Sequence, residues 1–166
     1  MGLRVALIGA GQVAIDHLEA LRETDAVELV GIYDQDLARA KERAAANGIP
    51  RAYATWEELL RDDAAQCVGV LLPHDLHERF AVEALEAGKH VVCEKPLAVT
   101  SEETAELVRL ADASGLVHCT NFNIRFYPLV QEARARVQAG ELGEVWNVHG
   151  GYLQDWLLLP TDWNWR

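Results

Sequence analysis

The feature that most narrows what this chain can fold into lies within its first 34 residues. An apolar run, Leu3-Arg4-Val5-Ala6-Leu7-Ile8, leads straight into Gly9-Ala10-Gly11-Gln12-Val13-Ala14, and a second run, Val27-Glu28-Leu29-Val30-Gly31-Ile32-Tyr33, closes on Asp34. Strand, glycine turn, helix and acid-terminated strand together read as a dinucleotide-binding βαβ unit. Gly9 permits the tight turn, Gly11 lets the backbone approach a pyrophosphate, and the small Ala14 lets the helix pack close to the strand. The helix points its unpaired N–H groups and positive dipole end at the phosphates. Asp34 follows Ala14 by about 20 residues, where a carboxylate takes a ribose hydroxyl pair. Glycines also serve ordinary strand-to-helix turns, so the context carries this reading more than the glycines do.

Strand and helix patterns go on alternating to about residue 120, which predicts an α/β fold with a doubly wound, mostly parallel sheet. A first helix presents Val13, His17, Ala20 and Leu21 on one face, and a second runs from about Gln35 to Ala46, stopping at Asn47-Gly48. Thr55-Trp56-Glu57-Glu58 and Thr100-Ser101-Glu102-Glu103 have the form of capping boxes. Cys67-Val68-Gly69-Val70-Leu71-Leu72 is apolar throughout, as a strand covered on both faces requires. A helix carrying Phe80, Ala81, Ala84 and Leu85 ends at Gly88, strands follow at His90–Cys93 and Leu116–Cys119, and a last helix spans about Phe126 to Ala139. Beyond Gly143, Val145, Asn147, His149, Gly151 and Leu153 alternate with Trp146, Val148, Gly150 and Tyr152, predicting a long strand. Trp146, Trp156, Trp163 and Trp165 crowd the end of the chain, and such aromatic density calls for a partner surface.

At 166 residues, half of them apolar, there is room for one full α/β domain and part of another. The net charge of −11 argues against phosphate-backbone binding, so no nucleic-acid partner is expected. Cys67, Cys93 and Cys119 form no CxxC pair and read as small buried hydrophobes; with the histidines in no ligand spacing, no metal is expected. No apolar run approaches the ~20 residues of a membrane span and no targeting segment opens the chain, so the expectation is a soluble, cytoplasmic protein. Rival signatures are missing: Gly88-Lys89 begins no phosphate loop, no Tyr-x3-Lys pair occurs, and there is no Gly-x-Ser-x-Gly elbow.

Other candidates for chemistry stand just past strand ends, the edge that faces the ligand crevice in open parallel sheets. Lys95, in Glu94-Lys95-Pro96, can hold a substrate hydroxyl and favour the alkoxide that develops as hydride leaves. An ordinary surface lysine beside a turn proline fits equally well. His77, after Pro73-His74, also fits a helix first-turn residue bonded locally. Arg125 can neutralise an anion or pair with a local acid such as Glu132. His17 reads as a satisfied core histidine.

Taken in order, the Gly9–Ala14 turn, Pro73-His74-Asp75-Leu76-His77, Ala84-Leu85-Glu86-Ala87-Gly88-Lys89-His90-Val91 with Glu94-Lys95-Pro96-Leu97, and Asn123-Ile124-Arg125-Phe126 with Pro128 resemble the glucose–fructose oxidoreductase, inositol 2-dehydrogenase and MocA (Gfo/Idh/MocA) family. The resemblance implies nicotinamide-dependent hydride transfer at a carbinol or carbonyl carbon of a small sugar or cyclitol. It matches Lys95 to the active-site lysine, and Gly9, Gly11, Gln12 and Val13 to the phosphate turn. Asp34 corresponds to the adenosine-ribose acid, which implies NAD over NADP because a carboxylate repels a 2′-phosphate. Pro73, His74 and His77 correspond to the wall beside the nicotinamide half, Glu94 to the cofactor-facing acid and Arg125 to the arginine after the last core strand. His74 departs from the asparagine more usual in the family.

On this resemblance residues 1–122 form the cofactor domain, and 123–166 form a linker helix and the first strand of an incomplete α+β substrate domain. Trp165-Arg166 would lie near the cofactor pocket, and the tail would serve a homo-oligomer interface. The family's assisting Asp and His lie beyond this chain. Two readings therefore stand: the cofactor portion of a dehydrogenase, or an inactive nucleotide-binding or oligomerising protein.

Overall fold

Six strands build one sheet, every neighbouring pair parallel, in the order β3-β2-β1-β4-β5-β6. They are β1 (Leu3–Ile8), β2 (Val27–Tyr33), β3 (Ala52–Tyr53), β4 (Cys67–Val70), β5 (His90–Cys93) and β6 (His118–Thr120). The helices are α1 (Gln12–Arg22), α2 (Leu37–Asn47), α3 (Trp56–Arg61), α4 (His77–Glu86), α5 (Ser101–Ser114) and α6 (Pro128–Gln138). This computed structural model describes residues 2–155 and 157–163. The chain divides into two units, the first running to Phe122 and the second beginning at Asn123.

The period-two geometry of the strands sorts the first unit's core onto two faces. Ala6 and Ile8 of β1 join Val68, Val70, Val91 and Cys93 in a layer with Trp56, Leu59, Ala81, Ala84, Leu85 and Leu107. Val5 and Leu7 point the other way, onto Ala14, Leu18 and Ala44 of α1 and α2. β4 is buried along its whole length, as its unbroken apolar sequence predicts. Strand order reverses between β1 and β4, and chain direction puts the C-terminal ends of these strands at that switch point, where a doubly wound sheet opens its ligand crevice.

Several local expectations need correction. The inner face of α1 is formed by Ala14 and Leu18; Val13 and Ala20 are exposed, because the helix begins one residue past Gly11 and its phase follows the close packing of Ala14. Thr55 caps α3, but Glu58 reaches back to the amide of Ala54, so only half of the expected box forms there. The Thr100 box on α5 is complete. β6 starts at His118, two residues later than expected, although Val117 O still accepts from Val91 N at 3.1 Å. Cys67 and Cys93 are buried as expected, and desolvation pushes their thiols up to about 11 and about 12; Cys119 is exposed.

In the second unit a 3₁₀ turn, Asn123–Phe126, precedes α6, so the helix starts at Pro128, a residue whose fixed φ and missing N–H suit the first turn. Glu132 pairs with Arg136 at 2.8 Å, one helical turn on, and not with Arg125. No strand forms among the described residues after Gly143, since alternation creates a strand only where a neighbouring backbone accepts its ladder. Trp156, Trp165 and Arg166 lie outside the described residues.

Candidate functional site

Gly9 is the corner of the site. Its φ of 101° lies in the region that favours glycine, and a Cβ there would fall 2.4 Å from the Leu71 carbonyl oxygen of the neighbouring strand's extension. The bend is held from both sides: Gly9 N–H donates to Tyr33 O and Leu71 N–H to Ile8 O, each at 2.8 Å. Gly11 then caps α1 without a side chain, and a Cβ built on it would meet nothing within 4 Å.

The start of α1 differs chemically from three other helix starts. Asp36 accepts from the amides of Ala38 and Arg39 at the head of α2, Thr55 from Glu58 on α3, and Thr100 from Glu103 on α5. α1 has no side-chain cap and no acid in its first turn. Its leading N–H groups, including those of Gln12 and Val13, therefore keep their donor capacity and partial positive charge beside open space. These residues fit a bound diphosphate.

Asp34, at the end of β2, is 5% exposed, and both its oxygens are engaged. Oδ2 accepts from Ala10 N at 2.8 Å and Arg39 Nε at 3.2 Å; Oδ1 accepts from Asp36 N at 2.9 Å and an Arg39 terminal nitrogen at 2.7 Å. Burial opposes its charge, but Arg39 and the two amides outweigh it and hold the carboxyl below the usual carboxylate range. Arg43 reaches Ala10 O at 3.4 Å. Neither arginine belongs to a motif, and their spacing on a helix opening after Asp34 is the one signal of this role in the sequence.

Past β5 the arrangement is of another kind. Glu94 Oε1 accepts from His17 Nε2 at 2.8 Å and from Asn121 Nδ2 at 2.7 Å, and Oε2 accepts from the Lys95 amide at 3.1 Å. Burial works against the charge here too, yet those hydrogen bonds bring the Glu94 carboxyl down to about 2. Lys95 itself is exposed and makes no ion pair among the described residues. His17 is thus hydrogen-bonded, but half-buried at the strand-end edge and not in the core, where its sequence position suggested it would lie; Asn121 has no motif of its own to signal this contact.

His77 turns inward. It is 1% exposed, with Nδ1 2.6 Å from Pro96 O and Nε2 2.7 Å from Leu72 O. The ring therefore ties the end of β4's extension to the residue after Lys95. Pro73 and His74 are exposed at the same edge, opening the 3₁₀ turn before α4. Arg125 stands in the second unit, its carbonyl accepting from Gln131. Among the described residues no group of three His, Cys, Asp or Glu side chains is placed to hold a metal ion, and no helix is long and apolar enough to cross a membrane.

Residues 3–122 match the family profile described as "Oxidoreductase family, NAD-binding Rossmann fold". The chain belongs to the Gfo/Idh/MocA family. It is 35% identical over 123 residues to levoglucosan dehydrogenase of Pseudarthrobacter phenanthrenivorans, covering 74% of this chain and 32% of that enzyme. The structure of an NAD-binding oxidoreductase from Klebsiella pneumoniae superposes with a TM-score of 0.82 at 34% identity, over 87% of this chain and 40% of that one. A 3-ketoreductase from Actinomadura kijaniata, solved with NADP, gives 0.78 at 30% identity over 84% and 43%. The chain spans less than half the length of each of these Gfo/Idh/MocA proteins.

Proposed function

We propose that this chain is the cofactor-binding portion of an NAD-dependent oxidoreductase that moves hydride at a carbinol or carbonyl carbon of a sugar- or cyclitol-like substrate. The observation that carries the reading is the uncapped, acid-free start of α1 behind the Gly9 bend at the sheet's switch point. The levoglucosan dehydrogenase relative supports the substrate class. The nicotinamide, when bound, supplies the hydride-accepting carbon.

The chain's own groups do the rest. Amides of the first turn of α1 hold the diphosphate, and Asp34 exchanges its Arg39 contact for the ribose hydroxyls. A carboxylate at that position repels a 2′-phosphate, which supports NAD; Arg39 is the group through which NADP would be tolerated. The Lys95 ammonium, unpaired at the cleft edge, holds the substrate oxygen and stabilises the negative charge that builds on it. Pro73 and His74 border the nicotinamide half. Arg125 follows the last core strand as the anion-neutralising group. The test is a titration with NADH by fluorescence and calorimetry, then a hydride-transfer assay over aldoses, ketoses and inositols. No binding at millimolar cofactor rejects the reading.

A second reading, an inactive homo-oligomeric nucleotide-binding protein, draws on the second unit. Trp146, Val148, Leu153 and Trp163 are each more than four-fifths exposed, a density of apolar surface that favours self-association. Equilibrium sedimentation tests it, and a clean monomer rejects it.

A further inference from the structure

Three elements far apart in sequence meet on one carboxylate beside Lys95. His17 comes from the second turn of α1, Glu94 from the end of β5, and Asn121 from just past β6; the contacts span 77 and 27 residues of chain. His17 Nε2 has the carboxylate as its acceptor, so that nitrogen carries its hydrogen, and the Asn121 amide donates to the same oxygen. The side chains of His17 and Glu94 are 19% and 13% exposed, so water competes weakly for these bonds. The other carboxylate oxygen takes the Lys95 amide. On the far flank, Pro96 O lies 2.6 Å from Nδ1 of buried His77. Lys95 therefore sits between two residues held by histidines, while its own side chain reaches solvent.

We infer that His17 and Asn121 are positioning residues for Lys95: they lock Glu94, which in turn fixes the backbone that carries the ammonium. His17 lies five residues beyond Gln12 on a rigid helix, about 7.5 Å at 1.5 Å per residue, so the turn that faces a diphosphate and the stem of the lysine share one frame. Precise placement of a remote group matters because displacement of a catalytic side chain by about 1 Å can cost on the order of 100-fold in rate. This inference rests on the reading of Lys95 as the group that meets the substrate oxygen.

The chain contains three lysines, Lys41, Lys89 and Lys95, so lysine-selective ¹⁵N labelling gives three backbone amide signals. His17→Leu and Asn121→Ala should each move the Lys95 amide signal upfield and speed its hydrogen exchange by about tenfold, with Lys41 and Lys89 unchanged. His17→Gln, which keeps an N–H donor, should restore the wild-type position. An unmoved Lys95 signal in the first two variants overturns the inference, as does a His17→Gln protein displaced as far as His17→Leu. A change shared by all three lysines assigns the network to general stability and overturns it too. NADH titration of the same samples separates the two ideas: a wild-type chain that binds no NADH rejects the proposed function, while the amide comparison still decides the role of His17 and Asn121.

Discussion

Asp34 and Glu94 are the same chemistry placed twice. Each is a carboxylate at the C-terminal end of a parallel strand, shielded from water, ionised against the cost of burial and bonded through both oxygens. Their partners differ. Asp34 is held by Arg39, five residues away on the same stretch of chain, with a side chain 45% exposed. Glu94 is held by His17 and Asn121, which belong to other elements and are themselves part-buried. An exposed guanidinium on a flexible stem can leave with little structural consequence, because water receives it. Withdrawing His17 or Asn121 would open the contact between α1, β5 and β6. On the proposed function, one acid exchanges its partner for a ligand and the other keeps it.

The comparison breaks first if Glu94 proves dispensable. Glu94→Ala leaves the His17 and Asn121 donors without their acceptor, and thermal or urea unfolding should show a loss of about 3 kcal/mol. A related check uses acid. A carboxyl lowered in the folded state from 4.5 to about 2 contributes stability that is fully present above pH ~4.5 and disappears as pH falls through about 2. That contribution is on the order of 3 kcal/mol, and the corresponding slope should be missing from the Glu94→Gln protein.

Asp34→Ala should cost less, about 2 kcal/mol, because Arg39 returns to solvent and only the Ala10 and Asp36 amides lose a partner. Its larger consequence should be functional: NADH affinity should fall by about tenfold or more in calorimetry, the loss expected for a hydrogen-bonded hydroxyl pair. The finest test is Arg39→Ala. Stability should change by less than about 1 kcal/mol, NADH binding should hold or tighten, and NADPH binding should weaken. If removing Arg39 destabilises the chain as much as removing Glu94, the two acids are not different in kind.

The legibility of the molecule followed the same division. The Gly9–Ala14 turn, the fully apolar β4 and the Thr100 box were readable because their physics is local: a positive φ, a two-sided burial, a pair of bonds within one turn. His77 was readable as a residue of note but not as an inward-facing tie, since its partners, Leu72 O and Pro96 O, come together only when β4 and β5 lie side by side. Arg39 hid in plain view, a helix-surface arginine like several others until the turn at Asp36 folds it back over Asp34. The alternation after Gly143 was a local signal without the partner backbone that a strand requires.

By itself, then, the sequence determined the parallel α/β sheet, the glycine corner and the family, because hydrophobic period, backbone permissiveness and capping act between near neighbours. The tertiary structure decided which charged groups are engaged: that Asp34 is clasped by Arg39, that Glu94 binds together three elements, and that His77 spans two strand ends. Hydrogen bonds across 77 residues depend on the packing of whole elements, and only the folded chain fixes that.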